Sequence, residues 1–201
     1  MTNPLQAYGN IDIYLFDQLL KGTYQQCKKV LDIGCGGGRN LHYFLQNAFE
    51  VFGADQSADA VTSVQSLSLA LAPNNPLSNF VVANADALPF SDAEFDLAIS
   101  SAVLHFAKDD THFERMVNEA FRVLKPGGYL FARLASDIGI EDLVKSLGNG
   151  RYLLPDGSTR FLVNQHRLLK ITEQYGRLHE PIKTTNVQNL RCMTTWCMQK
   201  L

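Results

Sequence analysis

Three aspartates and a run of glycines carry the chemistry most legible in this chain. Asp32, Asp55 and Asp86 each stand where an apolar run ends, and Gly34, Gly36, Gly37 and Gly38 follow the first of them in VLDIGCGGGRN, residues 30–40. Glycine has no Cβ, so it accepts positive φ and lets a bound molecule approach the main chain closely. A glycine turn between a strand and a helix usually serves a bound nucleotide. One carboxylate can take both hydrogen bonds of a ribose diol, and another can accept from an adenine amino group. An acidic rim of this kind tolerates a cationic nucleoside and repels a pyrophosphate. Acids at strand ends also cap helices or solvate turns, and Asp32 could serve the turn alone.

These groups need strands that end along one edge. Lys28–Ile33 reads as a first strand running into the glycines, followed by a helical stripe of Leu41, Phe44, Leu45 and Ala48. Glu50–Asp55 is a second strand, and Ser57 can cap a helix through Val61, Val64, Leu67 and Leu71 that stops at Pro73. Asn79–Asn84 and Phe95–Ser100 are short apolar runs of the kind buried on both faces. The stripe Phe113, Met116, Val117, Ala120, Phe121 and Leu124 predicts a helix, Lys125-Pro-Gly-Gly128 a turn, and Tyr129–Leu134 a fifth strand. This alternation predicts an α/β fold with a parallel sheet and helices on both faces. Ligands then bind beyond the carboxyl ends of the strands, where the three aspartates line one crevice.

Upstream, Ile11, Tyr14, Leu15, Gln18 and Leu19 at helical spacing predict an N-terminal helical arm ended by Lys21-Gly22. Downstream, Arg151–Val163 reads as two strands about a Pro-Asp-Gly-Ser turn, and Asn164–Tyr175 as a helix. Leu178–Val187 and Cys192–Met198 read as closing strands. The 1–201 domain divides into an arm or lid at 1–27, a cofactor-binding core at 28–135, an insertion and substrate cap at 136–176, and closing strands six and seven at 177–201.

The 201 residues, 46% hydrophobic and 19% charged, suit one globular domain with a sizeable core. A net charge of −2 offers no positive field for nucleic acid or an anionic membrane. Residues 1–20 hold no Lys or Arg and no long apolar run, so neither a signal peptide nor a membrane span is expected. Cys27, Cys35, Cys192 and Cys197 lack metal-ligand spacing, which predicts free thiols in a cytoplasmic protein with no metal. The chain is expected as a monomer or homodimer.

Two cofactors share this architecture. A dinucleotide turn, G-x-G-x-x-G/A, fits Gly34 and Gly36 but puts Arg39 where a small residue must let the helix pack on the strand. VLDIGCGGGRN, EVFGADQS, ADALPFSDAEFDLAISSAVLHF and EAFRVLKPGGYLFARL stand in order across residues 28–135. Together they resemble the successive motifs of class I S-adenosylmethionine-dependent methyltransferases. The finer likeness is to the type 11-like, small-molecule branch with quinone-biosynthesis and tellurite-resistance enzymes.

That resemblance implies a Rossmann-like seven-stranded sheet whose last strand is antiparallel. It implies S-adenosyl-L-methionine as cofactor and S-adenosyl-L-homocysteine as product. Asp32 would orient the glycine loop or reach the methionine amino group through water. Gly34 and Gly36 would expose backbone to the methionine portion, with Cys35 between them, and Asp55 would take the ribose diol. Gln56 would flank the adenine, Asp86 and the Ala87 N–H would read its edge, and Ser100 and Ser101 would border the transferred methyl.

The implied activity is methyl transfer to a small-molecule acceptor by in-line displacement, with alignment supplying most of the catalysis. The fourth strand ends in Ser-Ser-Ala-Val, without the Asn/Asp-Pro-Pro-aromatic signature of many enzymes that methylate planar amino groups, which disfavours nucleic acid. A nicotinamide-dependent oxidoreductase and a catalytically silent cofactor binder are the alternatives.

Four further residues stand in telling places. Arg39 opens the first helix, an unfavourable end for a cation, and meets either the methionine carboxylate, a substrate anion or water. Arg133 is a charge inside an apolar strand, explained by a substrate anion in the pocket or by pairing with Asp137 or Glu141. His105, just past the fourth strand, is a candidate general base or a structural residue. Tyr14, with Tyr8 and Phe16, is expected to fold over the cofactor on the substrate side. His112 and His166 read as surface residues, and the sequence sets no direction for Arg160, Arg191 or Trp196.

Overall fold

The computed structural model describes residues 3–201, so Met1 and Thr2 of the arm lie outside the described residues. Side chains alternate across each strand. Val30, Val51, Leu97, Ile99 and Phe131 therefore face one side of the sheet, and Leu31, Phe52, Ala98, Leu130 and Ala132 the other. All ten are buried, so both faces need helices.

The chain supplies β1 (Lys29–Ile33), β2 (Glu50–Asp55), β3 (Phe80–Val82), β4 (Phe95–Ser101) and β5 (Leu124–Ser136), all parallel. A small antiparallel sheet follows, of β6 (Lys145–Gly148), β7 (Arg151–Leu153) and β8 (Thr159–Phe161). The last strands are β9 (Gly176–Leu178), β10 (Lys183–Val187) and β11 (Arg191–Lys200). The main sheet runs β10-β11-β5-β4-β1-β2-β3, with β11 antiparallel to β5 and β9 paired on the far half of β11. That order is the seven-stranded arrangement expected, its last strand inverted.

Helices α1 (Pro4–Tyr8), α2 (Ile13–Leu20), α3 (His42–Gln46) and α4 (Ala58–Leu71) lie on the first face, α1 resting on α3. Helices α5 (Asp110–Arg122) and α6 (Gln165–Tyr175) cover the second. Ser57, Asp109 and Asn164 cap α4, α5 and α6 by accepting a first-turn N–H. Between α6 and the sheet, the fully buried Trp196 donates its indole N–H to Thr172 Oγ1 at 3.0 Å. Among the described residues no helix is long and apolar enough to cross a membrane.

Three departures from the sequence pattern have local causes. β3 is the edge strand, so Val82 is 57% exposed rather than buried on both faces. Lys125-Pro-Gly-Gly128 is not a turn outside the strand but an irregular first stretch of β5, where the register with β4 shifts and Gly127 takes φ +77°. The expected sixth strand is split into β9 and β10 around Pro181, which has no N–H to give β11.

Replacing Trp196 by Ala removes the largest buried side chain under α6. We expect urea unfolding to show a loss of about 3–5 kcal/mol.

Candidate functional site

The parallel strands end together, and the loops that leave them meet over that edge. The Gly34 and Cys35 N–H groups both donate to the Ala54 carbonyl, at 2.7 and 3.1 Å. The Gly36 N–H donates to Asp55 Oδ2 at 2.9 Å, and Asp55 Oδ1 accepts the Ser57 N–H at 2.9 Å. The glycine loop thus hangs from the end of β2, and Asp55 rather than Asp32 orients it. Gly34 has φ +70°, and a Cβ there would stand 2.4 Å from Val103 Cγ2, so the segment after β4 can cross it only while it is bare. At Gly36 φ is +52° and a Cβ would meet nothing within 4 Å. Gly36 faces open space.

Two cavities flank Gly34. One, of about 560 Å³, is lined by Asp55, Gln56, Asn84, Asp86, Phe106 and His112 among others. The second, of about 530 Å³, is lined by Gly36, Arg39, Asn40, His42, Ser101 and the arm residues Leu5, Gly9 and Asn10. In the first, Asp86 Oδ2 accepts Arg115 Nε–H at 3.2 Å and lies 3.6 Å from His112 Nε2. His112 Nδ1 accepts the Lys108 N–H at 3.0 Å, which leaves its other nitrogen toward Asp86. His112 is therefore a wall of the cavity, not the surface residue its helix position suggested. The Ala87 N–H does not reach the cavity: it donates to Asn84 O at 3.1 Å and closes a turn, leaving Ala87 exposed.

The second cavity owes its shape to Asp12, which is 3% exposed. Its Oδ1 caps α2 by accepting the Tyr14 N–H, and its own N–H donates to Asn40 Oδ1, both at 3.0 Å. Its Oδ2 accepts Arg133 Nη1–H at 2.9 Å and the Ser101 hydroxyl at 3.3 Å, with Arg39 Nη2 at 3.8 Å. Arg39 also donates to Ser101 Oγ at 2.9 Å. Arg133 thus pairs with neither Asp137 nor Glu141. The Tyr14 ring lies 5.1 Å from its guanidinium, and the Tyr14 hydroxyl bonds Thr185 Oγ1 at 2.6 Å. Neither Arg133 nor Tyr14 lines either of these two cavities.

Other sequence candidates sit beneath the site. Asp32 is buried under the loop, and burial pushes its carboxyl up to about 8, with Asp55 adding and the Arg39 cation opposing. Ser100 is fully buried, its hydroxyl without a partner, and it reaches neither cavity. Cys35, the exception, lines the second cavity, although its sulfur packs toward Gly53 and burial raises its thiol. His105 accepts the Ala135 N–H on Nδ1 at 3.2 Å. Burial first, and the charge of Arg160 second, lower it to about 4, so the ring is neutral and held as a structural acceptor. Asp12, Asn40, His42, Phe106, Lys108 and His112 were missed as site residues. An acid at a helix cap and apolar residues in a loop carry no local signal of a pocket.

A family model described as a methyltransferase domain matches residues 31–132. An uncharacterized methyltransferase of Synechocystis is 36% identical over 101 residues, 50% of this chain and 44% of that protein. The chain spans less than half the length of the curated relatives it matches. A SAM-dependent methyltransferase of Methanosarcina mazei superposes with TM-score 0.73 at 23% identity, covering 91% of this chain and 97% of that one. A 1,6-didemethyltoxoflavin-N1-methyltransferase of Burkholderia thailandensis, solved with 1,6-didemethyltoxoflavin and S-adenosylhomocysteine, gives 0.68 at 15% identity over 91% and 76%.

Two outcomes follow from the buried charges. Asp12→Asn keeps the helix cap but strips Arg133 of its partner, so we expect about 3–5 kcal/mol lost in urea unfolding and much of it restored by adding Arg133→Met. Between about pH 4 and pH 8 the folded chain holds a proton at Asp32 that the unfolded chain has released. Raising the pH through that window therefore lowers stability. The advantage of Asp32→Asn over the wild type should grow with pH, by up to about 1.4 kcal/mol per unit, and level off above pH 8.

Proposed function

The chain belongs to the methyltransferase-domain family, and from that premise we propose that it binds S-adenosyl-L-methionine and transfers the methyl group to a small-molecule acceptor. The observation that carries the reading is the pair of cavities joined at Gly34, one faced by acids and one by bare backbone and the Arg39 cation. Asp55 and Asp86 stand where a ribose diol and an adenine amino group would be received, with Gln56 beside them. The open space over Gly36 and the Arg39 guanidinium on the other side suit an amino-acid portion with its carboxylate. The cofactor supplies an electrophilic methyl on a positively charged sulfur that leaves as a neutral thioether.

The chain's own task is alignment and exclusion of water. The arm supports both. Tyr8 packs edge-on against Phe16 at 4.8 Å and stacks on Tyr43 at 5.8 Å, which brings Leu5, Gly9 and Asn10 to the rim. Asp12 then ties the arm to Arg39, Asn40, Ser101 and Arg133. His105 lines neither cavity and is kept neutral by burial, so this reading gives it no role as a general base.

In a thermal-shift titration, S-adenosylhomocysteine should raise the melting temperature and NAD should not. Gly36→Ala puts a methyl into the open space at a backbone cost of about 1–2 kcal/mol. It should weaken S-adenosylhomocysteine about tenfold or more while the variant still folds; unchanged affinity would remove the site assignment.

A further inference from the structure

Arg160 is a guanidinium with no direct carboxylate partner among the described residues, Asp156 acting on it only at longer range. It projects from β8, with its guanidinium carbon 5.3 Å from the centre of the Phe106 ring. Its Nη1 donates to the Thr159 carbonyl at 2.8 Å. Among the described residues no carboxylate forms an ion pair within 4.0 Å of Arg160, Arg151 or Lys108. Asp156, the acid of the same hairpin, has its Oδ1 engaged by the Ser158 N–H and hydroxyl at 2.9 and 2.6 Å. Arg39 and Arg133 differ, because they share Asp12.

The position of Arg160 is as telling as its charge. β8 stands over the turn at residues 104–106, and Tyr152, its cross-strand partner, packs with Leu162 near Ala135 at the end of β5. The small sheet therefore holds Arg160 at the rim where β4 and β5 release their chains. Phe106 lines the nucleoside-side cavity and is 57% exposed, a bare ring at a cavity mouth. With only Nη1 engaged, by the Thr159 carbonyl, the guanidinium beside Phe106 keeps further N–H groups for a planar, bidentate partner. A second aromatic ring can pack on the exposed part of Phe106. Arg151, whose Nη1 donates to the Ala107 carbonyl at 3.1 Å, adds positive charge next to the same 104–106 turn.

Resting on the methyl-transfer reading, we propose that the acceptor is an aromatic carboxylate that packs against Phe106 with its carboxylate on Arg160. The test titrates 4-hydroxybenzoate, 4-hydroxybenzamide and phenyl phosphate calorimetrically into the full chain saturated with S-adenosylhomocysteine. The benzoate should bind about tenfold or more tighter than the amide. That preference should vanish in Arg160→Gln and survive in part in Arg160→Lys, with melting temperatures confirming that both variants fold. Equal binding of benzoate and amide, binding of neither, or a preference untouched by Arg160→Gln overturns the proposal. So does phenyl phosphate outcompeting the benzoate. If S-adenosylhomocysteine binds wild type and Arg160→Gln alike while no carboxylate preference is seen, the acceptor class alone falls. If S-adenosylhomocysteine fails to bind the wild type, the methyl-transfer reading falls and takes the acceptor class with it.

Discussion

One carboxylate, Asp55, sets the geometry of the open edge. Its two oxygens accept N–H groups from Gly36 on one side and Ser57 on the other, so the loop after β1 and the entry to α4 are fixed by the same side chain. The glycine loop has no cap of its own: α3 begins at His42 with no side-chain acceptor before it. With the loop hung on β2, Gly34 can slip under Val103, and Gly36 can present backbone to open space. Each carboxylate oxygen has a second lone pair, so structural bonding leaves Asp55 able to receive two hydroxyls as well. The group that builds the loop is the group best placed to read what lies on it.

The other half of the edge is closed by a contact between distant parts of the chain. Asp12 lies 121 residues from Arg133 and is nearly excluded from water, yet it meets one full cation and the edge of another. A lone charge there would be costly, and the pairing explains how Arg133 can sit in a strand whose neighbours Ala132 and Leu134 are fully buried. It also explains the arm. α1 presents no buried residue, and the Asp17–Lys21 pair that joins α2 to Glu180 and Lys183 is exposed and weak. Leu15 beneath α2 and Asp12 at its start are what dock the segment.

How much of this was legible in the sequence follows the range of the interactions. The alternation of strands and helices, the glycine loop, the acids at the end of β2 and just past β3 and the cap at Ser57 all come from short stretches whose residue types act on near neighbours. The sheet arrangement came only through the family resemblance. Arg133 was recognisable as anomalous, because a charge in YLFARL conflicts with its surroundings, but its partner was not, because Asp12 reads locally as an ordinary helix cap. His112 failed for the same reason: its helix position suggested solvent, whereas the cap at Asp109 and the loop at Lys108 turn its ring toward Asp86. Ala87 failed because a backbone N–H has no sequence signature of where it points. Arg160 needed the whole small sheet to be placed.

The charges that result are segregated along the edge, and that matters under the proposed methyl transfer, which destroys a charge. Methyl loss turns a sulfonium into a neutral thioether, so only carboxylates close to the sulfur distinguish the form before transfer from the form after it. Asp55 and Asp86 face the nucleoside-side cavity, where both forms look alike. Asp32 lies under the loop, and burial keeps its proton on through neutral pH, so it acts there as a neutral group. Asp12 offsets one of the two positive charges of Arg133 and Arg39, pairing closely with Arg133 and only at its edge with Arg39. Under the proposed methyl transfer, Asp55 and Asp86 serve binding of the nucleoside and stand away from the reacting sulfur. Such a layout suits catalysis by alignment, since strong attraction to the cationic form would deepen the ground state and raise the barrier to be crossed.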